Sequence, residues 1–195
     1  MTRTEILGLL SEWLSDARLA HSLETEKMAA RLAILHNEDP EKAATAALLH
    51  DLCRCLPTER QHEYIKRDGI TLSKEWMLSP QLWHGPAAAF YIQAELEIYD
   101  RDILDAVRCH TTARAQMSTL EKIIYLADKA EDSRDYNGVE EIRAAAQRSL
   151  DEGVYLTICK NLTKQCRKGR PLVKEALGAY NELAVKFTVD SKKEG

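Results

Sequence analysis

Apolar positions recur along this chain at intervals of three and four, the spacing of one helix face, in almost every segment longer than about ten residues. Nowhere do apolar and polar residues alternate for long between hairpin turns, so no strand is expected. The pattern predicts an all-α fold. A first helix is expected over about residues 3–16. A second follows over about 19–36, with Leu23, Met28, Leu32 and Leu35 among its apolar positions. Asp39-Pro40 reads as an N-cap followed by proline at the first helical position. It opens an alanine-rich helix, EKAATAALLHDLCRCL, that runs until Pro57 stops it.

Residues 58–66 predict a shorter helix ended by Asp68-Gly69, and 70–78 connect onward. Ser79-Pro80 repeats the cap-plus-proline form and opens QLWHGPAAAFYIQAEL, a helix that Pro86 should kink or divide. Another helix is expected over 100–110. Ser118 with Glu121 forms a capping box ahead of Leu120, Ile123, Ile124 and Ala127, on a helix that carries Asp128. DSRDYNGVEE is a polar loop, followed by helices over about 140–150 and 152–167. Gly169 ends the second of these, Pro171 opens a last helix to about residue 187, and the tail VDSKKEG is expected to fray.

Composition narrows this picture. A chain of 195 residues with 45% hydrophobic content can bury one sizeable core, so a single domain over 1–195 is expected, its folded part about 15–187. With 27 basic against 31 acidic residues the net charge is -4, which gives no general attraction to nucleic acid or anionic membrane. Cations for a polyanionic substrate must therefore be concentrated locally. No stretch reaches the roughly 18 apolar residues of a membrane span, and the first residues lack the pattern of a secretion signal, so a cytoplasmic location is expected. Five cysteines, with no CxxC, argue against a disulfide framework. Cys53 and Cys55 are read as packing residues. Cys109 is not read as a nucleophile, because neighbours such as Cys109 and His110 diverge on a helix.

The chemistry begins with His50-Asp51 at the end of the apolar run AALLHDLCRCL. Adjacent helical residues point roughly 100° apart, so the pair can approach one metal only if the helix end faces a cavity. His21 lies about one helix upstream, and Asp128 shares a side of its helix with Ile124, where a carboxylate is costly unless neutralised. His84 and His110 are placed the same way: Ile103, Val107 and His110 follow the i, i+4, i+7 spacing of one face. A single inward histidine is usually a hydrogen-bonded core residue. Four histidines and two acids on separate inward faces are harder to explain so. His21, His50, Asp51 and Asp128 would form a mixed nitrogen and oxygen shell suited to iron, manganese or cobalt, with hydrolysis as the natural reaction.

These residues resemble the HD-domain superfamily, and the match extends to its YqeK family. It is carried by RLAHS at 18–22, ALLHDLCRCLP at 47–57, LWHGP at 82–86, DILDAVRCHTTAR at 102–114 and EKIIYLADKAEDSRDYNGVEEIR at 121–143. The resemblance implies an HD-type helical bundle that hydrolyses diadenosine tetraphosphate symmetrically to two ADP. It implies that His21, His50, Asp51 and Asp128 bind a divalent ion, iron first. On that reading a metal-activated water attacks a central phosphorus in line, with Asp51 or Asp128 orienting it, and His84 and His110 stabilise the added charge or donate a proton. His84 and His110 would face the phosphates or a second metal, Arg18, Arg54 and Arg134 would contact phosphate or nucleotide, and Lys129 is a further candidate cation. Arg54 stands where the family often has lysine, which changes the geometry of phosphate contact. A phosphatase of mononucleotides, a nucleotide sensor without turnover and a purely structural bundle are the alternatives. A homodimer is compatible with the helical surface.

Overall fold

The computed structural model describes residues 1–191, among which the chain is helical with no strand, as the apolar spacing predicts. The helices are α1 (Arg3–Trp13), α2 (Asp16–Leu35), α3 (Pro40–Leu49), α4 (Thr58–Arg67), the single turn α5 (Lys74–Met77), α6 (His84–Ala94), α7 (Arg101–Cys109), α8 (Thr119–Ala130), α9 (Val139–Arg148), α10 (Leu150–Arg167) and α11 (Lys174–Ser191). A 3₁₀ turn, Pro80–Leu82, precedes α6. The tail was expected to fray, but Val189 to Ser191 lie within α11; the rest of that expectation falls outside the described residues. No described helix is long and apolar enough to cross a membrane.

The helix α8 is the axis of the bundle. Ile123, Ile124, Tyr125, Leu126 and Ala127 are all fully buried, because α2, α3, α7, α9 and α10 pack around it. Its charged residues Lys122, Asp128 and Lys129 are only half-buried, and the rest of its circumference is packed against these neighbours. Its start is set by the predicted capping box, Ser118 Oγ accepting from Glu121 N while the Glu121 carboxylate accepts from Ser118 N. Ala43, Ala46 and Ala47 are wholly buried on α3 and let it lie close along α2.

Several predicted boundaries move, each for a local reason. The helix α3 ends at Leu49 rather than running to 55. The His50 ring takes the Ala47 carbonyl through Nδ1 at 2.5 Å, the acceptor that Asp51 N–H would need to continue the helix. The chain then closes in tighter turns, with Leu52 N on Leu49 O, Arg54 N on Asp51 O and Leu56 N on Cys53 O. The helix expected from Ser79 is divided at Trp83, not at Pro86, which sits in the first turn of α6 where a missing N–H is harmless. The last helix begins at Lys174, since residues 171–173 form an extended lead-in anchored by buried Val173. The helix α2 starts at Asp16, earlier than expected, leaving only a short joint after α1.

Where α6 meets α7 there is no room for a side chain. A Cβ on Gly85 would lie 2.9 Å from Arg108 O and 3.2 Å from Val107 O, both backbone atoms that cannot swing aside. Gly85→Ala is therefore expected to cost about 1–3 kcal/mol as an overpacking change. Urea unfolding would measure it, and a variant as stable as the parent would show that the two helices do not lie this close.

Candidate metal centre

Four helix ends and one helix interior bring the predicted residues together. His50 and His110 are the C-cap residues of α3 and α7, and they are built alike: each Nδ1 donates to the carbonyl three residues back, Ala47 O at 2.5 Å and Val107 O at 2.7 Å. A carbonyl only accepts, so Nδ1 carries the proton and Nε2 is left as a bare lone pair aimed inward. His84 opens α6, Asp128 lies in the last turn of α8, and His21 projects from the middle of α2. His21, His50, Asp51, His84 and His110 are between 0% and 8% exposed.

The distances describe one cluster. His50 Nε2 stands 3.7 Å from Asp51 Oδ2 and 3.9 Å from Asp128 Oδ1, while His21 Nε2 is 3.1 Å from Asp128 Oδ1 and 4.0 Å from Asp51 Oδ2. On the other side of Asp51, Oδ1 lies 3.2 Å from His84 Nε2 and 3.8 Å from His110 Nε2. Three triads, His21/His50/Asp51, His50/His110/Asp128 and Asp51/His84/His110, have ligand atoms within 4.8 Å of one another. The donor set fits a divalent ion on one independent observation. His50 Nε2 is fully buried and has no hydrogen-bond partner, a costly state for a polar atom that a Lewis acid would relieve.

Cations close the mouth of the pocket, a space of about 260 Å³. Arg18 donates to Asp51 Oδ2 at 3.1 Å, Arg134 to Asp128 Oδ1 at 2.9 Å, and Lys129 to Asp128 Oδ2 at 3.0 Å and His110 O at 2.8 Å. Arg54 donates to His84 Nδ1 at 3.1 Å. Since a guanidinium has no acceptor, His84 must present a lone pair at Nδ1 and carry its proton at Nε2, the opposite tautomer to His50 and His110. That proton faces His110 Nε2, 3.0 Å away.

One buried group escaped the sequence reading. Glu131, the C-cap of α8, is 1% exposed and meets His21 Nδ1 at 3.1 Å. Its carboxylate also accepts from Ser133 N and Ser133 Oγ at 2.6 Å and 2.8 Å. The i, i+3 spacing from Asp128 places both acids on one side of the helix, and that spacing was the available signal. Arg143 of α9 braces the loop behind them, donating to the carbonyls of Ala130, Glu131 and Arg134. The thiols of Cys53 and Cys109 are pushed up to about 12, chiefly by burial, and neither is poised as a nucleophile.

Burial and charge pull the titrating groups apart. For Asp51, burial favours the neutral acid, but His50, His110 and His84 outweigh it and hold the carboxyl well below its ordinary range. For Asp128, burial is likewise outweighed by Lys129, His21 and the other histidines. Burial lowers His50 to about 4 and lowers His84 and His110 as well. His21 runs the other way: burial lowers it, but Asp128 and Glu131 raise it above its ordinary value.

The sequence profile of the HD domain family matches residues 18–132. The chain is similar to a symmetrical bis(5'-nucleosyl)-tetraphosphatase of Bacillus subtilis (strain 168), 34% identical over 94% of this chain and 98% of that protein. It is similar to a protein of the same name from Halalkalibacterium halodurans, 33% identical over 94% and 97%. A crystal structure of a predicted HD superfamily hydrolase involved in NAD metabolism from Clostridium acetobutylicum superposes with a TM-score of 0.92 at 35% identity, covering 95% of this chain and 98% of that one.

The protonation balance sets a pH dependence for the metal-free protein. His50 is neutral in the folded chain down to about 4 but takes a proton near its ordinary 6.5 when unfolded. The unfolded state therefore binds more protons in that window, and stability should fall as pH drops from 6.5 toward 4. His84 and His110 act in the same direction, and His21 opposes them. Thermal unfolding after chelation should show a falling Tm across this range; a flat or rising Tm would contradict the buried neutral imidazoles.

Proposed function

The chain belongs to the HD-domain family, and from that membership we propose that it cleaves diadenosine tetraphosphate symmetrically to two molecules of ADP, with His21, His50, Asp51 and Asp128 holding a divalent ion. The observation that carries the assignment is the orphaned Nε2 of His50, within 4 Å of oxygens of both carboxylates. Iron is the ion we propose, with manganese or cobalt able to substitute, because imidazole and carboxylate donors suit all three. When bound, such an ion supplies Lewis acidity that polarises a phosphoryl oxygen and acidifies water.

The chain's own residues do the rest. Asp51 lies between the two halves of the cluster, where its carboxylate can orient the attacking water toward a central phosphorus. Because Arg54 occupies Nδ1, His84 carries its proton at Nε2, and as a neutral ring it can donate a hydrogen bond that stabilises charge on the departing diphosphate oxygen. His110 accepts at Nε2 and holds the His84 ring in place. Arg18, Arg54, Lys129 and Arg134 ring the mouth of the pocket and offset the charge of the polyphosphate bridge, which a chain of net charge -4 cannot attract in general. Glu131 fixes the tautomer and orientation of His21 from behind. The unit responsible is taken as a single domain over 1–195, and its folded part reaches beyond the expected 15–187, since α1 buries Ile6 and Leu10 in the same core and α11 runs to Ser191.

Two experiments test this reading. Chromatography of products from diadenosine tetraphosphate, with iron or manganese supplied, should give ADP alone; AMP with ATP, or free phosphate, would refute symmetrical cleavage. Asp51→Ala and Asp128→Ala should each lose bound metal and turnover together. Glu131→Gln should weaken metal retention by about 10–100-fold while keeping the fold, as removal of a hydrogen-bonded support for a ligating imidazole does. Unchanged metal content in all three variants would sink the ligand assignment.

A further inference from the structure

A second cavity, about 830 Å³, opens beside the metal pocket between the loop after α8 and the outer face of α10. Lys129 and Arg134 line both spaces, so the two adjoin. Lys160, Lys164, Arg167 and Lys168 add a stripe along α10 at i, i+4, i+7 and i+8, one face of the helix. No aspartate or glutamate lines this groove, in a chain with more acids than bases. Lys160 is paired with Glu141 at 2.9 Å. Lys164, Arg167 and Lys168 are exposed and have no ion-pair partner among the described residues.

Cations near a helix C-terminus also answer the helix dipole, and the last turn of α10 carries Lys164 and Arg167. That effect fades within a turn and does not account for Lys160, nor for the cations that other elements turn toward the same space. The groove also contains an aromatic surface. Tyr136 is 41% exposed, and its hydroxyl donates to Lys129 O at 2.7 Å, which holds the ring at the junction with the metal pocket. Cations along a track with an exposed ring beside it are the ingredients of nucleotide recognition: charge for phosphate, a flat face for a base.

We infer that this groove holds one of the two nucleoside diphosphate arms of the substrate, its phosphates against Arg134, Lys164, Arg167 and Lys168 and its base against Tyr136. The inference rests on the reading that the metal pocket hydrolyses a dinucleoside tetraphosphate. It adds the element that symmetrical cleavage requires, since an arm gripped at a fixed distance from the cluster sets the central bridge over it. From Lys160 to Lys168 the stripe covers about 12 Å of helix, a length suited to one arm and short for a polynucleotide.

The test uses the full chain with metal bound and first establishes that the parent converts diadenosine tetraphosphate to ADP. In a Lys164→Gln, Arg167→Gln, Lys168→Gln variant, KM should rise about tenfold or more with kcat within about twofold, the pattern of lost binding without lost chemistry. Metal content and Tm should not change, because these side chains are exposed and are not among the proposed ligands. Tyr136→Ala should raise KM similarly, and Tyr136→Phe, which keeps the ring but loses its tether to Lys129 O, should raise KM by less than Tyr136→Ala. An unchanged KM in the triple variant, beside a parent that makes ADP, would overturn the groove assignment alone. So would a variant that keeps its KM but loses binding to a single-stranded RNA oligonucleotide. A parent that makes no ADP would reject the functional reading and this inference with it.

Discussion

Two carboxylates, Asp51 and Asp128, sit among four imidazoles inside a helical bundle, and the placement of everything around them answers that fact. A buried carboxylate is costly unless opposite charge and hydrogen bonds hold it ionised. Here Arg18 reaches Asp51 from the rim, while Lys129 and Arg134 reach Asp128. His50, His84 and His110 are held toward the neutral form by burial, so His50 and His110 present lone pairs at Nε2, while His21 is pulled the other way by Asp128 and Glu131.

The bundle achieves this by spending helix ends on chemistry. The last carbonyls of a helix lack intrahelical partners, and in α3 and α7 a C-cap histidine satisfies one of them with Nδ1. The same bond terminates the helix, selects the tautomer and directs Nε2 into the cavity. Terminating α3 at Leu49 also frees Asp51 from the helical direction it would otherwise share with the core. The α8 terminus works in the opposite sense: Asp128 faces the cluster, and Glu131 caps the helix while bonding His21 from outside. Arg143 then holds that loop by three backbone carbonyls, so the position of Arg134 depends on α9, an element with no residue in the cluster.

Charge is arranged on two scales. Within hydrogen-bond distance, each acid of the cluster has a cation; beyond it, basic side chains collect on one side of α10, where Lys160 pairs with Glu141 and Lys164, Arg167 and Lys168 have no ion-pair partner among the described residues. The chain as a whole is acidic, so this segregation, not net charge, makes a polyanion favour one face. Lys129 and Arg134 belong to both regions and join them.

The sequence by itself determined the helical class, because a three-to-four apolar spacing is a local property that survives without any tertiary information. It also determined most helix starts, since Asp39, Asp100 and Ser118 are caps that act within three residues. His21, His50, Asp51, His84, His110 and Asp128 were legible as inward polar residues, because burial on an apolar face is visible from spacing. The tertiary structure decided which of their atoms face one another, the opposite tautomers of His84 and His110, and the end of α3 at Leu49. None of these follows from periodicity: each depends on a single side chain competing for one backbone carbonyl or one guanidinium brought from about thirty residues away. Glu131 and the basic stripe of α10 were present in the sequence as spacings too, but surface charge on a helix is ordinarily solvated. Only the approach of α2 gives Glu131 a partner in His21, and only the loop after α8 makes the α10 stripe one wall of a groove.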